Sequence, residues 1–427
     1  MLNSESMTKE IRNVNEKMPL RVLWIAQGCS LQDDKENLGL SGRMESIMTR
    51  YCGDRIRLAV AYMADGVHES KFTQNDIVYY AADSNLGVGL EDHEWERSKA
   101  ELLRIIDDFH PDIIQCFGSE WPYGLIAENV DIPVVIHMMG FLNIYFLSVN
   151  MANGTPDLIP VKRNKLLEKY QRNKIPESKV DRCKRYERRV MSSNRYFFGR
   201  TNWDKNIVRY YSPNSRYFHV PEMIKPYIYD AAGQWKYHYK RRIKLFSLSS
   251  ADDRKGNEII LRTAEILKNI LHLNVLWKVA GQKDSLIMFE QRTGIKHQDV
   301  GIKLIGMIGS KEIVEEMKSA DLCIHPSIMD NSPHSVCEAQ LVGCPIIASN
   351  VGGVSDLVSD GETGFLYPYN EPHTLAFMIA NLYQDEDLLT RISENEVRTA
   401  KSRHDPEAIA STMLHSYETI IEDYRHG

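Results

Sequence analysis

The chain of 427 residues has no uninterrupted apolar run approaching the ~20 residues that a membrane-spanning helix requires, which excludes an integral helical membrane protein. Its first eighteen residues, MLNSESMTKEIRNVNEKM, lack the apolar centre of a secretory signal and read as a loose, disordered tail over 1–18. Cysteine is sparse: seven residues, odd in number, scattered and without a C-x-x-C pair. That usage excludes a disulfide framework or zinc site and fits reduced thiols in the cytoplasm. Positive charge is not in excess either, since the formal net charge is -6. No stretch interleaves aromatic and basic residues, so nucleic acid is not an expected partner. A G-x-G-x-x-G after the first strand is missing, which argues against a nicotinamide enzyme. There is no internal repeat and no low-complexity segment.

Short apolar runs alternating with helical patterns fill the rest of the chain. RVLWIA (21–26), IRLAVAYM (56–63), DIVYYA (76–81), DIIQCF (112–117), PVVIHM (133–138) and RYFFGR (195–200) read as buried parallel strands. The pattern restarts with IKLFSLSS (243–250), NVLWKVAG (274–281), GIKLIGM (301–307), DLCIHPS (321–327), PIIAS (345–349) and GFLYP (364–368). Helical segments such as EWERSKAELLRIIDDFH and SKEIVEEMKSA separate them. Strand, helix, strand in repetition predicts α/β sheets covered on both faces. At this length two domains are expected: one over 19–225, one over 240–402, joined near the irregular stretch 222–242. Two helical stretches, roughly 372–402 and 406–425, close the chain around the HDP turn at 404–406, and the last is placed to cross back onto the first domain.

Open parallel sheets bind ligands beyond the carboxyl ends of their strands, so two such domains direct attention to the cleft between them. At one strand end stands SIMDNSPHSVCEAQLVGCPIIASNVGG (327–353). Ser332 and Pro333 supply an N-cap and a first helical position, and Gly343 a stop. A helix start there offers amide N–H groups and a positive dipole end to a diphosphate. Asp330 precedes this helix and Glu338 lies about one turn inside it. Carboxylates accept strongly from sugar hydroxyls, although acids at such spacing also arise as ordinary surface residues.

The longer stretch HPSIMDNSPHSVCEAQLVGCPIIASNVGGVSDLVSDGETGFLYP resembles, from end to end, the signature of the retaining GT-B glycosyltransferases that carry an E-x7-E motif, a family including sucrose synthase and many bacterial polysaccharide-building enzymes. Asp330 stands where the first Glu is expected and Glu338 matches the second. The resemblance implies a GT-B fold, two Rossmann-like α/β domains facing each other across a cleft, with a nucleotide-diphosphate sugar as donor. It gives Glu338 to the nucleotide ribose and Asp330 to the donor sugar, and has the loop Asn331, Ser332, Pro333 and His334 approach sugar and diphosphate with its backbone amides, of which Pro333 has no N–H to give.

SLSSADDRKGNEI (247–259) is similar to the family's G-R-x4-K-G loop, with Lys255 and Gly256 in place and Ser249-Ser250 where Gly-Arg is expected. A departing diphosphate needs a cation, a task that falls to Lys255 with help from Arg254, while Ser250 lines the loop. Lys255 admits the alternative of a solvated lysine at a helix start. In the first domain, Gly39, Ser41 and Gly42 follow the first strand, and Gly42 matches the family's glycine loop. His137, followed by Gly140, closes PVVIHM and by the resemblance approaches the donor sugar; a lone strand-end His is otherwise a structural residue. Glu120 in FGSEWPYGL is placed for contact with an acceptor.

The D-x-D-type triplet Asp385-Glu386-Asp387 lies between two late helices, far from a strand end, and reads as a solvated turn. The expected chemistry is therefore metal-independent and free of cofactors beyond the donor, and the resemblance implies that it is retaining. Residues 162–189 hold twelve Lys or Arg against four Asp or Glu, which reads as a solvated helical face or as a peripheral contact with the inner membrane face. The expected partners are a nucleotide sugar and a glycan or lipid-diphosphate-linked acceptor, as in bacterial-type surface polysaccharide synthesis. A GT-B sugar phosphorylase or epimerase, and a nucleotide-sugar binding protein without turnover, stay open beside this reading.

Overall fold

The computed structural model describes residues 18–29, 40–64, 70–83, 92–145, 148, 177–238, 242–250, 252–282 and 285–426. The tail over 1–17, Gly39, and residues 162–176 of the basic run fall outside these. The first sheet comprises β1 (Leu20–Ala26), β2 (Ile56–Ala64), β3 (Lys71–Gln74), β4 (Ile77–Asp83), β5 (Ile113–Phe117), β6 (Val134–His137), β7 (Tyr196–Gly199) and β8 (Arg216–His219). Their order is β3-β4-β2-β1-β5-β6-β7-β8. The second sheet comprises β9 (Ile243–Leu248), β10 (Val275–Ala280), β11 (Ile302–Gly306), β12 (Leu322–His325), β13 (Ile346–Ser349) and β14 (Phe365–Tyr367), in the order β11-β10-β9-β12-β13-β14.

Every apolar run read as a strand forms one. The two strands that the runs do not reveal are edges: β3 (KFTQ) and β8 (RYFH) are largely open to solvent and carry no apolar run. β3 is the antiparallel member, turned onto β4 by Asn75 and Asp76, both at positive φ as a tight hairpin turn demands.

The helices among the described residues are α1 (Leu40–Cys52), α2 (Asp92–Phe109), α3 (Glu177–Ser193), α4 (Asn202–Tyr211), α5 (Pro226–Asp230), α6 (Asn257–Glu265), α7 (Ile287–Thr293), α8 (Ser310–Ser319), α9 (His334–Val342), α10 (Val354–Leu357), α11 (Pro372–Leu382), α12 (Glu386–Arg403) and α13 (Pro406–His426). In β1, Val22 and Trp24 face one helical layer while Leu23 and Ile25 face the other, so the sheet is buried on both sides. The stretch expected as one helix over 372–402 is two, because Asp385 caps α12 by accepting from the Leu388 amide. The acidic triplet is thus a helix start. The connector around 222–242 is not a free linker: Ile228 and Trp235 are buried in the second core, and the Trp235 indole donates to Ala320 O at 2.8 Å.

α13 does cross back. Ile409, Met413, Leu414, Tyr417 and Ile420 pack into the first core against α1. Trp24 Nε1 donates to the Tyr417 hydroxyl at 3.0 Å, and that hydroxyl donates to Gln115 Oε1. Tyr417→Phe strands both groups in the interior and is expected to cost about 1–3 kcal/mol in chemical denaturation. No change in midpoint would mean that this link does not tie the halves.

In α3, Arg185 pairs with Asp92 and Arg189 with Glu128, so the described end of the basic run binds its own domain.

Candidate functional site

Each sheet has one topological switch point, where the chain returns to the centre and runs outward in the other direction. It falls between β1 and β5 in the first sheet and between β9 and β12 in the second. Crevices for ligands open there, beyond the carboxyl ends of the strands.

On the second sheet the crevice is built by close backbone contacts. After β9, Asp252 caps a single turn over Asp253–Lys255 and Gly256 follows at φ +68°. A Cβ on Gly256 would lie 1.9 Å from Pro326 O, so glycine lets this loop press onto the end of β12. The Ile328 amide donates to Arg254 O at 2.7 Å and locks the two loops together. Gly352, at φ +52°, approaches Asp330 as closely, and the Gly353 amide donates to Asp330 O at 3.1 Å. The result is an ion pair: Lys255 Nζ lies 2.7 Å from Asp330 Oδ2.

Burial by itself would raise the Asp330 carboxyl, but Lys255 and His325 outweigh it and hold the group at about 2. Asp330 is therefore a fixed negative charge at neutral pH. His325 Nε2 stands 3.7 Å from the same oxygen, while its Nδ1 meets Ser335 Oγ at 2.9 Å. Burial pushes this imidazole down to about 4, helped by Lys255 and opposed by Asp330, so it is neutral.

α9 begins at His334, one position later than the sequence suggests. Pro333 is the cap and no side chain closes the helix start. Ser332 does not serve as a cap; its hydroxyl is buried without a hydrogen-bonding partner. Glu338 is 4% exposed. Burial raises its carboxyl, moderated by His334, Lys225 and Arg43.

Three of the expected residues are otherwise engaged. The Asn331 amide is taken by Asp330 Oδ1 at 3.1 Å, and its side chain bonds Thr201 and Asp204 of the first domain at 2.6 and 3.1 Å. It joins the domains and does not present a free donor. Arg254 is bound to Asp252 and stacks over the Tyr145 ring, 4.4 Å from its centroid. Ser250 is tied through its carbonyl to Asn257 Nδ2 at 2.7 Å, while Ser249 Oγ lies on Asn257 Oδ1.

In the first domain, Gly42 is the third residue of α1, not a loop residue, and Ser41 Oγ ties that helix start to Gly28 O at 3.1 Å. The next residue, Arg43, reaches the second domain. Its Nη2 lies 3.2 Å from Glu222 Oε1 and 3.1 Å from His334 Nε2, and His334 Nε2 lies 2.9 Å from Glu222 Oε1. Arg200 Nη1 pairs with Glu222 Oε2. Burial opposes the Glu222 charge, yet Arg200, His334 and Arg43 together hold it well below the usual carboxylate range. Asn202 and Asp356 add a further bond between domains at 2.7 Å.

His137 is fully buried on the sheet face that carries α13, stacked on Phe117, with Gln115 Nε2 at 3.3 Å from Nδ1. Burial first, then Arg200, pushes it down to about 3. It is a neutral interior group, and among the described residues its ring contacts are with Gln115, Phe117 and Phe198. Sequence reasoning missed Arg43, Tyr145, Arg200, Glu222 and His325. Only His325, in the quoted HPS, lay within a recognised motif; the others meet the site through folding alone.

Residues 234–398 match the family model described as Glycosyl transferases group 1. D-inositol 3-phosphate glycosyltransferase of Paenarthrobacter aurescens is 31% identical over 137 residues, 31% of this chain and 33% of that protein. The enzyme of the same description from Corynebacterium glutamicum is 35% identical over 91 residues, 21% and 22% of the two chains. The alignment with these curated relatives thus spans a third of their length or less. Among solved structures, sucrose-phosphate synthase from Thermosynechococcus elongatus superposes with a TM-score of 0.71 at 13% identity, covering 95% of this chain and all (100%) of that one. HepE of Anabaena in complex with UDP-glucose gives 0.61 at 16%, covering 94% and 100%. The fold is therefore GT-B: two α/β domains with parallel sheets, as the sequence predicted.

Proposed function

We propose that this chain is a retaining, metal-independent glycosyltransferase that moves a sugar from a nucleoside-diphosphate sugar to an acceptor hydroxyl. The observation that carries the reading is the crevice at the β9/β12 switch point. There an open helix start stands beside a paired lysine and aspartate, and a buried glutamate lies within the same helix.

Each element has a distinct part. The first-turn amides of α9 and its dipole favour the diphosphate, a contribution of about 0.3–2 kcal/mol per anion that assists but does not suffice. Lys255 stabilises charge gathering on the departing diphosphate as the glycosidic bond breaks. Asp330, ionised throughout the neutral range, faces the positive charge that develops on the sugar. Glu338 accepts hydrogen bonds from the ribose hydroxyls of the nucleotide. With retention, the departing phosphate oxygen takes the acceptor's proton on the same face, so the second domain need not supply a base.

HepE was solved with UDP-glucose, which makes UDP-glucose the first donor to test. Glu338→Ala is expected to weaken UDP binding about 10- to 100-fold, the loss of one or two charged hydrogen bonds, measured by titration calorimetry. Unchanged affinity would remove Glu338 from the nucleotide site. Release of UDP from UDP-glucose in EDTA, with the anomeric configuration of the product read by NMR, tests metal independence and retention. We read the acceptor as a glycan or lipid-linked hydroxyl in surface polysaccharide synthesis at the cytoplasmic membrane face. Transfer to inositol phosphate, the acceptor class that the curated relatives' descriptions name, would replace that reading.

A further inference from the structure

Four consecutive residues of the first domain, Thr201 to Asp204 at the start of α4, hold the segments on which the Lys255–Asp330 pair is built. Thr201 Oγ1 donates to Asn331 Oδ1 at 2.6 Å, and Asn331 Nδ2 donates to Asp204 Oδ2 at 3.1 Å. Asn202 gives Asp356 two hydrogen bonds, from its amide at 2.7 Å and from Nδ2 at 2.8 Å, and the Trp203 amide adds a third at 3.3 Å. The Trp203 ring stacks on Tyr145, 6.2 Å between centroids, and Arg254 stacks on Tyr145 in turn. Asp204 is itself fixed: it completes a capping box with Thr201 and accepts from the Arg200 amide at 2.9 Å and from the Tyr217 hydroxyl. The seat is therefore built by the first domain alone.

Each of these contacts ends next to the ion pair. The Asn331 amide donates to Asp330 Oδ1 at 3.1 Å, which leaves Oδ2 to Lys255 at 2.7 Å. The Gly353 amide donates to Asp330 O at 3.1 Å, three residues before Asp356. Arg254 directly precedes Lys255. A Cβ on Gly353 would lie 2.7 Å from Thr201 Oγ1, so a bare backbone is what lets this loop meet α4. Asparagine in a loop ordinarily turns its side chain onto nearby backbone. Asn331, 1% exposed, instead spends both side-chain atoms on partners 130 and 127 positions away.

Resting on the glycosyltransferase reading, we infer that Asn331 is a positioning residue: by joining the Asp330 loop to Thr201 and Asp204, it aligns the Asp330 carboxylate only while the two domains are closed on each other. When they separate, Asn331 releases both partners and Asp356 releases α4, so the loop loses its two ties to the first domain together. Asn331 neither takes nor gives a proton in the reaction; its effect is geometric. A reacting group displaced by about 1 Å costs roughly 10²-fold in rate. The nucleotide is held by α9 and Glu338, within the second domain, so its affinity does not depend on this tie.

The test compares the full chain with Asn331→Ala and Asp356→Ala, assayed for nucleotide release from UDP-glucose, GDP-mannose and ADP-glucose, with UDP, GDP and ADP affinities from titration calorimetry. Asn331→Ala keeps the backbone amide on Asp330 and removes the bonds to Thr201 and Asp204. Expected is a kcat lower by about 10- to 100-fold, measured well below the variant's melting temperature, with unchanged nucleoside diphosphate affinity. Asp356 is exposed, so Asp356→Ala should melt close to the parent and lower kcat about 3- to 10-fold. The double variant should lose less than the product of the two, because both free the same loop. A residue that merely joins the domains would lower the melting temperature and leave the kcat of the folded protein parental. That result in Asn331→Ala, or a parental kcat in Asp356→Ala if Asn331→Ala does not fold, overturns the inference while the glycosyltransferase reading stands. Parent protein that neither binds nor turns over any of the three donors overturns that reading itself, and this inference with it.

Discussion

Lys255→Ala is expected to lower turnover of the nucleotide sugar by about 10²- to 10³-fold, the usual loss when one preorganised donor to a developing negative charge is removed. The lysine is 31% exposed and Asp330 16%, so the pair is not deep in the protein. Its contribution to stability is accordingly small, about 0–1 kcal/mol. The two effects therefore separate: activity falls while the denaturation midpoint barely moves. The sign of the pH dependence follows from Asp330. Its folded-state value of about 2 lies below the ordinary 3.8, so the pair stabilises the fold above that ordinary value and the benefit fades as pH falls towards about 2. In the alanine variant the Asp330 carboxyl rises, and this acid-side dependence shrinks. Full turnover in Lys255→Ala would mean that another cation serves the leaving group.

Glu222→Ala should have the largest effect on stability, about 3–5 kcal/mol in chemical denaturation. The wild-type carboxylate is fully buried and receives Arg43 and Arg200, both almost fully buried, together with His334. Without it, two guanidinium groups remain in the interior short of a counter-charge. Because His334 opens α9 and Arg43 belongs to α1, the same change loosens the junction between domains beside the proposed donor site; turnover should fall along with stability. A loss below about 1 kcal/mol would mean that water or Asp204, which also interacts with Arg200, replaces Glu222.

The restrained part of this site was legible because it is encoded locally. Gly256, Gly352 and Gly353 appear in the sequence as motif glycines, and the structure supplies their reason: each stands where a side chain would collide with a neighbouring loop. Glu338 could be placed on the face of a helix from spacing alone. Ser332 misled because a Ser-Pro pair is a common helix entry, whereas here Pro333 itself takes the cap position. Asn331 misled for another reason. Its amide is consumed by the neighbouring Asp330 side chain, and its own side chain by a domain that sequence proximity gives no cause to consider.

What the sequence determined by itself was the order of the buried strands along the chain and their burial on both sheet faces, since apolar runs and periodicity are written in neighbouring residues. Only the tertiary structure decided which charges meet. Lys255 and Asp330 are 75 positions apart, and Arg43 and His334 are 291 apart. A buried charge is tolerated only where its partner arrives, and no local pattern records that arrival.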